Sequence, residues 1–463
     1  MLRKAVLVIS GHSLASLLAL TRNLIIARLI PLSDYGIATT FMILVSIMEM
    51  VSNFGLNQRI VQARDGDDPR LQAALQGFQV FRGTLSALAI LLLAEPVARF
   101  MNLPEIAWAY RLLALVPLFN AFQSLDAQRL TRQMRFGPMM LTATVPAAVA
   151  LLAVWPLAAW TQDYQVMLYA ILIHAGMIFA MTHLVAERPY RLSLDREQIR
   201  RTLAFGWPLL VNSLLLFGVY NGDRVIVGRE LGTAELAIFS MGMTLTLTPT
   251  LVLAGSMQNV FLPRLSEIDR ALPDGEVRFI RLASIAVEAY LLVGITLVTG
   301  AVLFGPALVQ LLLGEKYAAL SDLIVWFAVI HGLLMFKGGP STIALARGRT
   351  ENALIANLVR VGLIPLAWWV AVTTGSFRGL IFIAIVGEAA GYLVSFLVLR
   401  WRIGFSLRPV LLVGLSAFSC ISAAVWAGFS GSLEGRVVVT FLFLIALTTM
   451  TRLLSYIRSL RAR

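Results

Sequence analysis

Residues 5–20, AVLVISGHSLASLLAL, and 35–56, YGIATTFMILVSIMEMVSNFGL, decide the fold. The first is apolar almost throughout and continues to Leu29; the second carries one charge, Glu49. About twenty such residues cross the ~30 Å hydrocarbon core of a bilayer as a helix. Working outward, about fourteen stretches of this kind follow one another: 5–29, 36–57, 73–96, 106–125, 137–160, 164–186, 203–228, 236–262, 279–304, 319–345, 352–374, 379–400, 409–429 and 437–457. A chain of 463 residues that is 59% hydrophobic and 14% charged is no soluble domain. Helices satisfy their own backbone polar groups in lipid, so the reading is an all-α polytopic membrane protein.

Basic residues set its orientation, because Lys and Arg in short loops stay cytoplasmic. With the N-terminus inside, inner segments hold 26 of the 38 Lys and Arg, counting Arg281, Arg400 and Arg452 just within the inner ends of their spans, and outer segments hold five: Arg99, Arg229, Lys316, Arg378 and Arg436. Both termini are therefore expected in the cytoplasm. The same bias accounts for the net charge of +13 and argues against a nucleic-acid partner, leaving anionic lipid headgroups as its counterpart. The first hydrophobic run follows a short basic start but has no small-residue cleavage site, so it reads as a retained helix. The single cysteine, Cys420, excludes an internal disulfide and reads as a small buried residue.

Catalytic signatures are missing. There is no phosphate loop of the GxxxxGK[ST] type and no metal-binding spacing, and His12, His174, His183 and His331 are scattered. The longest hydrophilic stretches, about 187–202 and 263–278, are on the inner side. An enzyme building glycans would be expected to carry a larger outer loop with clustered charges. The chain reads as a non-enzyme.

An internal duplication points to transport. Arg22-Asn23-Leu24-Ile25-Ile26-Ala27-Arg28 faces Asp223-Arg224-Val225-Ile226-Val227-Gly228-Arg229 at an offset of 201, and Gln58 and Arg64 meet Gln258 and Arg264 at 200. Six helices separate the copies, so both halves share one orientation, as in transporters built of parallel repeats. The expected domains are a lobe at 1–186, a cytoplasmic linker at 187–202, a second lobe at 203–400, and two further helices with a basic tail at 401–463.

Setting aside charges at the very ends of spans, such as Glu95, Arg281 and Asp322, eleven fall inside them: Arg22, Arg28, Glu49, Arg82, Arg111, Asp223, Arg224, Glu288, Lys337, Arg360 and Glu388. Each costs several kcal/mol in hydrocarbon unless it meets a partner or a wet cavity. Seven are basic, which suits an anionic substrate, since a guanidinium fork holds phosphate bidentately. Arg28, Arg111, Arg224 and Lys337 lie near span ends, where snorkelling is the plainer reading. Glu288 could equally be structural glue to a neighbouring Arg. Glu388, near mid-span with Asn357 on the preceding helix, is the candidate site for a coupling proton or sodium ion. Pro249 with Gly255, and Pro365, are candidate hinges.

These residues bear a family likeness. The end of the first helix, Ala27-Arg28-Leu29-Ile30-Pro31-Leu32-Ser33-Asp34-Tyr35-Gly36, carries it, with Asn221-Gly222-Asp223-Arg224-Val225-Ile226-Val227-Gly228 running into Leu231-Gly232-Thr233-Ala234-Glu235-Leu236, and Pro263-Arg264-Leu265-Ser266. Over its whole length the chain resembles the Wzx-type flippases of O-antigen and exopolysaccharide units, in the multidrug/oligosaccharidyl-lipid/polysaccharide exporter superfamily. The resemblance implies two six-helix lobes about a V-shaped cavity. It also implies an undecaprenyl-diphosphate-linked oligosaccharide as substrate, with polymerase and chain-length machinery as partners and no bound cofactor. Together with the intramembrane charges and the repeat, it makes Arg22, Arg28, Glu49, Arg82, Asp223, Arg224, Gln258 and Arg360 the candidate residues of the substrate cavity. Arg22 and Arg28 look like the first-helix arginines of lipid II flippases. The additional helix-two arginine of those proteins has no equivalent here, which argues for a sugar unit other than lipid II. A MATE-like drug/cation antiporter is the rival reading, and it should favour acidic over basic cavity groups.

Overall fold

The structure is a computed structural model and describes residues 2–51, 56–62, 65–269, 273–405, 408–430 and 432–461. Among these, helices run in the order α1 (Leu2–Leu29), α2 (Leu32–Val51), α3 (Pro69–Phe100), α4 (Ala107–Leu112 and Leu115–Ala121), α5 (Gly137–Trp160), α6 (Gln165–Leu184), α7 (Arg196–Ile226), α8 (Thr233–Ser266), α9 (Gly275–Leu313), α10 (Ile324–Ala346), α11 (Glu351–Thr374), α12 (Phe377–Ile403), α13 (Arg408–Ser430), α14 (Leu433–Thr449) and α15 (Thr451–Arg461). Ten of them are long and apolar enough to cross a membrane. The other four expected spans fall on α1, α4, α7 and α14.

Some expected spans are interrupted, each where chemistry requires it. In the second span the helix is described to Val51, and the short helix Leu56–Gln62 buries Leu56 and Ile60 against Leu71, Leu75, Phe78 and Leu125. The span at 106–125 breaks at Leu113, ahead of Pro117, whose missing N–H leaves the turn before it without a ladder bond. Helix α11 breaks at Leu363, two residues before Pro365, whose missing N–H and ring remove the ladder bond to the Val361 carbonyl. By contrast, α8 runs unbroken through Pro249.

Packing divides the chain into two compact units, Met1–Ala237 and Ile238–Arg463. Within the first, α1 packs on α5, α3 on α4, and α6 on α5 and α4, while α7 lies against α2 and α3. Gly36 lets α2 touch the main chain at the start of α8, since a Cβ there would collide with the Thr233 carbonyl. Sequence duplication divides the chain near 187–202, whereas packing keeps α7 with the helices before it.

The segment after α6 is stitched down, not slack. The Glu187 and Arg188 N–H groups donate to Asp126 Oδ2 at 2.8 and 3.2 Å. Gln76 Nε2 donates to the Arg191 carbonyl at 2.9 Å, and Ser193 N–H donates to the Ala73 carbonyl at 3.0 Å. Gly77 leaves the space through which Ser193 crosses α3. Burial opposes the charged form of Asp126, but the Arg129 fork and the two N–H groups outweigh it and hold the carboxyl below its usual range. Hydrogen bonding from Arg135 lowers Glu187 as well.

In the second unit, α9 packs on α10 and α13, α10 and α11 on α12, and α13 on α14. Glu288, in mid-α9 and 1% exposed, accepts the Leu453 N–H at 2.8 Å. A buried carboxylate thus caps the N-terminus of α15, where the helix dipole and free N–H groups favour negative charge. Tyr456 on α15 also bonds Arg264 at the end of α8. Glu288→Ala is expected to release α15: limited proteolysis should cut within 451–461 at least tenfold faster than in wild type. Unchanged cleavage would mean that packing of Leu453 alone holds the helix.

Candidate functional site

Two charge clusters lie inside the membrane helices, one in each unit. In the first unit, Arg22 on α1 is 9% exposed, and its Nε and Nη2 reach only the neighbouring Asn23 side chain, at 3.3 and 3.2 Å. Arg224 on α7 donates from Nη1 to Asn221 Oδ1 at 3.4 Å, and its buried Nε meets no acceptor. Asn221 in turn donates to Ser46 Oγ on α2 at 3.2 Å. The fully buried Tyr35 lies within the field of both guanidinium groups, and His174 on α6 lies within that of Arg22. Neither arginine has an acidic partner among the described residues. Just after Arg224, residues 227–231 form a π-turn, a local widening frequent at functional sites.

The second cluster is compensated. Lys337 Nζ on α10 donates to Glu388 Oε2 on α12 at 3.0 Å and to Asn357 Oδ1 on α11 at 3.1 Å. Arg360 Nε on α11 lies 3.5 Å from Glu388 Oε1. The side chains of Lys337, Glu388 and Arg360 are 7%, 3% and 3% exposed. Small residues flank Glu388 in the run Gly387-Glu388-Ala389-Ala390-Gly391 and make room for this. A Cβ at Gly387 would come within 2.8 Å of Arg360 Cδ, and one at Gly391 within 3.0 Å of the Ala356 carbonyl. Two cations share one carboxylate.

The other expected residues are dispersed. Arg28 is exposed at the end of α1, apart from the buried Arg22. Glu49 and Arg82 line a cavity of ≈ 450 Å³ within the first unit. Asp223 is 4% exposed beside Arg224, and Gln258 is half-buried on α8 in the second unit. Arg111 pairs on the surface with Glu95 at 3.1 Å. Sequence reasoning treated Lys337 as a snorkelling residue and passed over Tyr35, Asn221, Ser46 and His174. The adjoining Gly338-Gly339-Pro340 and the paired glycines around Glu388 were the available signals of close packing.

Comparison with known proteins places this geometry. A family model described as polysaccharide biosynthesis protein matches residues 25–322. The lipopolysaccharide biosynthesis protein WzxC of Escherichia coli (strain K12) is 21% identical over 412 residues, covering 85% of this chain and 80% of that one. The teichuronic acid biosynthesis protein TuaB of Bacillus subtilis (strain 168) is 20% identical over 378 residues, covering 80% of this chain and 74% of TuaB. Among solved structures, the lipid II flippase MurJ in an inward closed conformation aligns with a TM-score of 0.70 at 13% identity, over 99% of this chain and 100% of that one. An inward-facing multidrug resistance transporter of the MATE family aligns at 0.66 and 18% identity, over 84% of this chain and 94% of that one. These neighbours show the fold.

Proposed function

This chain belongs to the polysaccharide biosynthesis protein family, and from that premise we propose that it is a flippase carrying undecaprenyl-diphosphate-linked oligosaccharide units from the inner to the outer leaflet of a bacterial inner membrane. The observation that carries the reading is the buried Arg22 together with the half-buried Arg224, whose Nε is buried; neither has an acidic partner among the described residues. Unpaired buried guanidinium groups are costly, and a diphosphate is the ligand whose charge and geometry offset that cost. Named relatives in lipopolysaccharide, succinoglycan and teichuronic acid biosynthesis support the same class of cargo. Arg22 and Arg224 take the diphosphate, Arg28 at the end of α1 receives it outward, and the polyprenyl tail stays in lipid. Neutralisation keeps the phosphate charges from crossing bare hydrocarbon, and no covalent step is required.

A proton is the better coupling ion by chemistry. Glu388 already holds Lys337 and Arg360, so sodium would have to displace a cation, whereas a proton added to Glu388 frees both. Return to the inward-open state is then driven by the proton gradient. The excess of basic residues at the inner segments puts both termini in the cytoplasm.

Deleting the gene in its native host is the test, with lipid extracts and surface polymer followed together. Complete diphosphate-linked units should accumulate inside while the surface polymer disappears. Absence of intact units would return the protein to an earlier synthetic step. Unchanged polymer with raised sensitivity to cationic dyes would make it a drug antiporter.

A further inference from the structure

The cavity between α2, α3 and α4 is chemically unlike the Arg22–Arg224 pair. Glu49 is exposed to it and, among the described residues, makes no hydrogen bond or ion pair. The Gln128 side chain and Asn120 Nδ2 are likewise uncommitted, although both residues line the same space. Neighbouring amides are already engaged: Gln79 Nε2 donates to the Asn120, Ala121 and Gln123 carbonyls at 2.7, 3.3 and 3.3 Å, and Gln123 Nε2 to Asn120 Oδ1 at 2.7 Å. Those bonds fix the end of α4 and so hold the free groups in place. Arg82 completes the polar wall, while Leu44 and Met48 form an apolar one.

Such a lining suits one ligand class. An acyl or polyprenyl tail would leave the carboxylate and amides unpaired in an apolar contact, at a cost of about 1–3 kcal/mol each. A phosphate or an acidic sugar would meet the Glu49 charge. A neutral sugar ring matches both walls: its hydroxyls donate to the carboxylate and to Gln128 Oε1 and accept from Asn120, while its C–H face lies on Leu44 and Met48. The volume lies within the range of small-molecule pockets. We propose that this cavity is a subsite for an uncharged sugar ring of the cargo, with Glu49 as the residue that selects against acidic sugars. The proposal rests on the flippase reading for its biological role, but not for its binding chemistry.

The test uses the full chain in lipid nanodiscs and saturation-transfer difference NMR. Galactose and N-acetylglucosamine serve as neutral probes, with glucuronic acid and inorganic pyrophosphate as charged ones. Neutral sugars should show transfer in the wild type, falling at least tenfold in Glu49→Ala and in Met48→Trp, which fills the cavity. The Tm of each variant and its pyrophosphate signal should stay at wild-type level, which separates loss of the subsite from misfolding. No transfer to neutral sugars, transfer unaffected by both substitutions, or stronger transfer to glucuronic acid than to galactose would each overturn the proposal. If the neutral-sugar signal is absent while the deletion host accumulates lipid-linked units, the subsite is wrong and the flippase stands. If a Glu49-dependent signal is present but no units accumulate, the subsite stands and the flippase reading falls.

Discussion

Arg22→Ala should lower export of lipid-linked units by about 10–100-fold while leaving the protein as stable as the wild type, or more so. The two effects have one cause. Arg22 is buried in α1 with no acidic partner among the described residues, so its charge costs the empty protein free energy that an anionic ligand offsets. A charge-assisted hydrogen bond contributes about 1.5–3 kcal/mol, and each 1.4 kcal/mol is tenfold in an equilibrium. Arg224→Ala should behave alike, with the double variant inactive. Arg22→Lys should recover only part, because an ammonium cannot bind phosphate bidentately. Export would be read as the ratio of surface polymer to accumulated intermediate, and stability as the Tm of purified protein. Full export in the double variant would remove the pair from the binding site. A fall in Tm matching the loss of export would make the arginines structural.

The second large effect lies in the other unit and has the opposite stability signature. Glu388→Gln leaves the buried Lys337 without its carboxylate and takes from Arg360 the one it shares with Lys337. Removing one partner of a buried pair typically costs about 3–5 kcal/mol, which is a large part of a domain's stability. Yield of folded protein should collapse. Lys337→Met should be much milder, because Arg360 still faces Glu388 and the remaining pair is neutral. The asymmetry distinguishes a shared carboxylate from two independent ion pairs, which would predict similar losses for both variants. Thermal denaturation of the two purified proteins decides it. If Lys337→Met proved the more damaging, Arg360 would not be the effective partner of Glu388.

Much of the fold was legible because lipid permits so few solutions. A run such as 35–56 admits one reading, and among the described residues each expected span falls largely on helix. The breaks were less visible. Pro365 interrupts α11 while Pro249 leaves α8 whole, and the difference depends on whether neighbours can accommodate the freed carbonyl. The charges were legible as a set but not one by one. Arg22 and Arg28 lie six residues apart on one helix, yet one is buried and the other exposed, which depends on how α1 is rotated against its neighbours. Lys337 near a span end looks free to snorkel until α12 brings Glu388 to within 3.0 Å. Glu288 gave no hint that its partner would be the N-terminus of a helix more than 160 residues later.

The place of α7 bears on how the protein is made. Its sequence echoes α1, but it packs on α2 and α3, and its last turn carries Arg224 to the same tyrosine that Arg22 faces. A nascent chain halted after α6 would therefore hold six helices with the faces of α2 and α3 uncovered and one arginine of the pair absent. The first unit closes only when residues up to about 237 have left the ribosome. Until then, the stitched segment 187–193 keeps the waiting bundle and the incoming helix in register, so that insertion of α7 is both the last step of building the first unit and the step that completes its cationic site.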